Sequence, residues 1–119
     1  MNKLLISGAT LGLIAVIMGA LGDHALPLTP DTTESLQTAI RYNMLYAVLI
    51  SCIALAPSLP GLRIAGLVFT AGTTLFSFSI YAAIMTGIDS LTYITPLGGL
   101  MIMAGWGCLI YAGFKRHAS

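Results

Sequence analysis

The chain has 119 residues, of which 57% are hydrophobic and only 8% charged, for a net charge of +1; ordinary globular domains hold roughly 45–50% and about 25%. A soluble fold this small keeps most residues near water and cannot hide so much apolar surface. The composition therefore excludes an ordinary soluble enzyme, a nucleic-acid binder and a disordered chain, and a lipid bilayer becomes the expected solvent.

Each crossing helix needs about 20 apolar residues, so four would use roughly 80 and leave short loops. The first apolar run, Leu4 to Leu21, follows Lys3. It exceeds the roughly 7–15-residue core of a signal peptide and reads as a retained span over about 4–22. Within it Gly8, Gly12, Ala15, Gly19 and Gly22 step by four and three, which places them on one stripe of a helix. Lipid supplies no hydrophobic drive between helices, so close backbone approach must hold them together. The stripe is expected to face a neighbouring helix, in the same protomer or in another copy.

Residues 23–30, DHALPLTP, interrupt the run. Asp31, three residues before Glu34, reads as a capping-box-like helix start just after Pro30. Glu34, Gln37 and Arg41 share a polar face, and Leu36, Ile40, Met44 and Ala47 an apolar one. The crossing portion is expected over about 40–56, with Tyr42 and Tyr46 at the headgroup layer and Pro57 and Pro60 as stops.

The third span, about 62–85, carries Thr70, Thr73, Thr74, Ser77 and Tyr81. Thr70, Thr74, Ser77 and Tyr81 form a ladder at helical spacing. Its expected role is interhelical hydrogen bonding, at about 0.6–2 kcal/mol per contact; a solvated pathway is the sharper alternative. After a polar loop with Asp89, Thr95 and Pro96 read as cap and first residue of the fourth span, about 96–114. Gly98, Gly105 and Ala112 recur at sevens there and give a second small-residue seam. No long linker intervenes, so a single domain is expected.

With four spans, Lys3, Arg63, Lys115 and Arg116 share one side, and Asp23, Asp31, Glu34, Asp89 and Arg41 the other. The positive-inside rule then puts both termini in the cytoplasm. Ionisable residues near apolar spans are candidates for function, and they gather at Asp23, His24 and Arg41. If the first two helices form a hairpin, Arg41 can approach Asp23 or the free carbonyls ending the first helix. That is either a structural lock or a site responsive to protons or ligand through His24.

Catalysis has little support: there is no HExxH, no GxSxG and no pair of intramembrane carboxylates. Besides His24 the chain has only His117, near its end. Cys52 and Cys108 lie far apart in apolar runs and read as packing residues, so neither metal nor cofactor is expected. Length and span number match the small multidrug exporters, which exchange protons at a carboxylate in the first span. Here no charge lies between Lys3 and Asp23, which argues against that mechanism.

Four segments, GALGDHAL at 19–26, TAIRYNMLYAV at 38–48, LFSFSIY at 75–81 and TPLGGLMIMAGW at 95–106, resemble domain-of-unknown-function family 423, the YgdD-like four-helix membrane proteins. The family's GAxGxHxL pattern maps onto Gly19, Ala20, Gly22, His24 and Leu26, and its basic second-helix start onto Arg41. Asp23 stands where the family usually carries a small residue, and Tyr46 where a histidine is common. The resemblance implies an inner-membrane protein and no particular reaction.

The sequence thus reads as an all-α, four-span inner (plasma) membrane protein surrounded by lipid. A non-enzymatic structural or partner-binding role is expected, with other membrane proteins or further copies of itself as partners. The alternative is a small oligomeric channel or proton-coupled carrier gated at Asp23, His24 and Arg41.

Overall fold

The computed structural model describes residues 2–24, 29–56 and 61–118, with side chains through Phe114. Leu26, Pro27, Pro57 and Pro60 lie outside the described residues, as do the side chains of Lys115, Arg116 and His117. Four helices follow in chain order: α1 (Lys3–His24), α2 (Pro30–Leu55), α3 (Leu62–Thr86) and α4 (Thr95–Ala118). Each is long and apolar enough to cross a membrane, and a short 3-10 helix, Asp89–Ile94, precedes α4.

Local chemistry sets the helix ends. Asn2 accepts the Leu5 N–H at 3.1 Å and donates to the Ala54 carbonyl at 3.0 Å. One side chain thereby caps α1 and satisfies a carbonyl in the last turn of α2. The start of α2 differs from expectation. Its capping box is Thr29 with Thr32, not Asp31 with Glu34: Thr29 Oγ1 accepts the Thr32 N–H at 3.2 Å, and Thr32 Oγ1 accepts the Thr29 N–H at 2.8 Å. Pro30 has no N–H to offer and suits the first helical position, so the cap must precede it. At the end of α3, Gly87 adopts φ +75°, and its N–H bonds the Ala83 carbonyl at 2.9 Å. That left-handed C-terminal stop favours glycine.

Thr95 is not the cap expected for α4. Its backbone is already helical (φ −55°, ψ −45°) because the 3-10 helix runs directly into α4. An N-cap needs an extended backbone. The Thr95 hydroxyl is bonded instead to Ser79 Oγ on α3.

The helices pack in series. α1 lies on α2, α2 on α3 and α3 on α4, while α1 meets α3 only slightly and, among the described residues, its backbone stays apart from that of α4. Small residues make the seams. A Cβ placed on Gly8 would fall 3.0 Å from the Ser51 nitrogen and 3.1 Å from the Ala47 carbonyl oxygen, and one on Gly22 would strike Leu36. Gly12 also faces Ala47, and Ala15 is buried, whereas Gly19 has nothing within 4 Å among the described residues. Most of the α1 stripe is therefore spent inside the protomer. The α3–α4 seam is tighter still. A Cβ on Gly98 would sit against the Phe76 backbone nitrogen and 2.7 Å from the Gly72 carbonyl oxygen, and one on Gly105 would lie 2.6 Å from the Phe69 ring.

Candidate functional site

α2 and α3 run antiparallel, and two contacts fix their register. Ser77 Oγ donates to the Ala39 carbonyl at 2.8 Å. Farther along, the rings of Tyr46 and Phe69 stack with centroids 5.3 Å apart. Between these levels Asn43 stands on α2, one turn beyond Ala39, and Thr73 on α3, one turn before Ser77. The two residues therefore face each other across the seam. Asn43, Thr73 and Ser77 are all 0% exposed.

This polar layer lies between two apolar clusters, which Phe76 and Phe78 join. One includes Leu11, Tyr46, Ile50, Phe69 and Ile102; the other holds Met18, Leu36, Ala39, Ile80 and Tyr81. Asn43 is central in α2 (Pro30–Leu55) and Thr73 central in α3 (Leu62–Thr86), so the layer lies at the middle of both helices. Asn43 Nδ2 donates to the Tyr81 hydroxyl at 3.0 Å. Asn43 Oδ1 and Thr73 Oγ1 have no hydrogen-bond partner among the described residues. Hydrocarbon offers no water to relieve such groups, and each unpaired one costs several kcal/mol. Buried polar residues at membrane depth are for that reason the first place to look for function.

Sequence reasoning missed Asn43, which sits within the expected crossing portion of the second helix. A signal was present: Ala39, Asn43, Tyr46, Ile50 and Ile53 follow the four-three spacing of one buried face. The hydroxyl ladder also divides in the structure. Ser77 and Tyr81 turn toward α2, together with Thr73. Thr70 and Thr74 donate instead to their own helix, to the Gly66 and Thr70 carbonyls at 2.8 and 2.7 Å. Such back-bonding joins nothing across helices. Ser77→Ala is therefore expected to cost about 1 kcal/mol and Thr74→Val almost nothing, read by thermal unfolding in detergent. Equal losses would contradict this division.

An aromatic cluster ties α4 to the apolar cluster that holds Tyr46 and Phe69. Trp106 Nε1 donates to the Tyr46 hydroxyl at 2.9 Å, and Trp106 meets the Phe69 ring edge-on at 5.4 Å. Tyr46 is thus a buried core residue, not the interfacial aromatic expected from its position near the start of the crossing segment. A partner on α4 for its polar tip makes burial tolerable. Tyr42 stacks on Phe76, centroids 4.6 Å apart.

Asp23, His24 and Arg41 are all exposed, and no hydrogen bond or ion pair joins them. The packing register explains this. Gly22 faces Leu36, and Arg41 lies five residues further along α2, about 8 Å deeper than Gly22. A shallow groove of about 360 Å³ opens nearby, lined by Asp31, Glu34, Ser35, Thr38 and Ile80. Among the described residues no three His, Cys, Asp or Glu side chains gather as metal ligands, and Cys52 and Cys108 are free thiols on different helices.

The family model described as protein of unknown function DUF423 matches residues 18–99. The UPF0382 membrane protein YwdK of Bacillus subtilis is 36% identical over 121 residues, covering 97% of this chain and 98% of its own length. A UPF0382 membrane protein of Haemophilus influenzae is 31% identical over 122 residues and covers 98% of both. The UPF0382 inner membrane protein YgdD of Escherichia coli (strain K12) is 32% identical over 120 residues, covering 94% of this chain and 89% of its own. No solved structure matches. Because the family match takes in both helices of the polar layer, and the relatives align along nearly all of their length, the chain belongs to the DUF423 family and is a multi-pass inner-membrane protein.

Proposed function

We propose that this protein is a non-enzymatic, non-conducting component of the inner membrane that acts by lateral contact with its neighbours, with both termini in the cytoplasm. The observation that carries this reading is the closure of the hydroxyl ladder. Thr70, Thr74 and Ser77 each donate to a backbone carbonyl, which leaves no continuous row of free hydroxyls for water or ions to follow. The exposed, separate positions of Asp23, His24 and Arg41 give further support, since a gate needs its charged groups to act on one another. α1 packs chiefly on α2 and α4 chiefly on α3, so each keeps a side for other membrane components. The cytoplasmic termini rest on Lys3 and Arg63 lying at the end opposite Asp23, Asp31, Glu34 and Asp89.

Flux in proteoliposomes tests the reading. Wild type, Asp23→Asn and His24→Ala should all match empty liposomes for proton and potassium movement under a pH gradient and an imposed potential. Single cysteines at Thr74 and Ser77, in a Cys52→Ala/Cys108→Ala background, should resist water-soluble thiol reagents from both faces. Flux above empty liposomes would overturn the proposal, and a fall in Asp23→Asn would make the outer cluster a working gate.

A further inference from the structure

We infer that the polar layer at the middle of α2 and α3 is a binding site for one water molecule, bridging Asn43 Oδ1 and Thr73 Oγ1. Two independent groups carry the inference. Both side chains are completely buried, both polar atoms lack a partner among the described residues, and the register places them opposite each other. They do not bond one another. A water fits the unmet valences: it donates to the asparagine carbonyl oxygen and exchanges a hydrogen bond with the threonine hydroxyl.

Turning the Asn43 amide over does not remove the need, because Tyr81 would then donate to Oδ1 and strand the NH₂ donors instead. Bulk solvent cannot supply relief at this depth, so the water is a resident part of the fold. The site is independent of the non-conducting reading. A single water held between Asn43 and Thr73 does not extend to Thr74 or Ser77, whose hydroxyls are taken up by carbonyls. The competing arrangement is rotation of the Thr73 hydroxyl onto a carbonyl of its own helix, as Thr70 and Thr74 do, which would leave the site dry.

Asparagine occurs only at positions 2 and 43, so labelling asparagine alone with ¹⁵N gives two side-chain amides. In lipid bilayers, water-edited NMR should transfer magnetisation from water to the exposed Asn2 amide as a control, and also to Asn43. The Asn43 transfer should persist in Thr73→Ser, which keeps the hydroxyl, and in Tyr81→Phe, which removes any relay through the phenol. It should be lost in Thr73→Val. No transfer to Asn43 in the wild type, or transfer unchanged in Thr73→Val, overturns the site. Because the wild-type spectrum alone can do so, the test does not depend on every variant folding.

Discussion

Gly98→Ala should lower the stability of the protein by about 3 kcal/mol, the upper end of ordinary overpacking costs, and its melting temperature in detergent by roughly 10 °C. The new methyl group would lie against the Phe76 backbone nitrogen and 2.7 Å from the Gly72 carbonyl oxygen. Neither atom can swing aside as a side chain would. Room could come only from moving α4 off α3, which would loosen the Ser79–Thr95 hydroxyl pair and the Trp106–Tyr46 bond with it. Gly107 and Gly113 on the same helix supply the control, since among the described residues neither has anything within 4 Å. Alanine there should be neutral, or stabilising by up to about 1 kcal/mol through helix propensity. A mild Gly98→Ala alongside costly changes at Gly107 and Gly113 would mean that α4 presents a different face to α3.

Phe69→Ala should cost about 3–5 kcal/mol. Phe69 is 0% exposed and lies among Tyr46, Trp106 and Gly105, so its loss leaves a cavity where three helices meet. Lipid tails replace the apolar surroundings but not the fitted contacts. The same ring governs Gly105. In the wild type Gly105→Ala puts a Cβ 2.6 Å from Phe69 and should cost about 2 kcal/mol. In a Phe69→Leu or Phe69→Ala background that cost should nearly vanish, because the obstructing ring is gone. A double-mutant cycle read by thermal unfolding would return a coupling of about 2 kcal/mol. Additive losses would show that Gly105 packs on something other than this ring.

Much of the architecture was legible because it rests on one-dimensional chemistry. Apolar run lengths marked four helices, and the spacing of Gly8, Gly12, Ala15, Gly19 and Gly22 marked a stripe of α1 of which Gly8, Gly12 and Gly22 meet α2 while Gly19 does not. The sevenfold recurrence of Gly98, Gly105 and Ala112 marked the face of α4, where Gly98 and Gly105 meet α3 and Ala112 approaches Gly61. Boundaries were less legible where neighbouring residues compete for one role. Thr29 and Asp31 can both cap, and the proline between them decides for Thr29. Thr95 reads as a cap until a preceding 3-10 helix makes its backbone helical.

By itself the sequence determined that this is a four-helix membrane protein whose helices meet through small residues, since bilayer thickness and backbone hydrogen bonding leave few other solutions for so apolar a chain. Only the tertiary structure decided which polar groups meet. Helical spacing put Thr70, Thr74, Ser77 and Tyr81 on one side, yet whether a hydroxyl reaches its own backbone or a neighbour depends on helix register, which no local pattern contains. Register set Ser77 on Ala39, Tyr81 on Asn43 and Thr73 opposite Asn43, and it left Arg41 well below Asp23. It also drew Tyr46 into the core, because Trp106, sixty residues away in sequence, brings a donor to its hydroxyl.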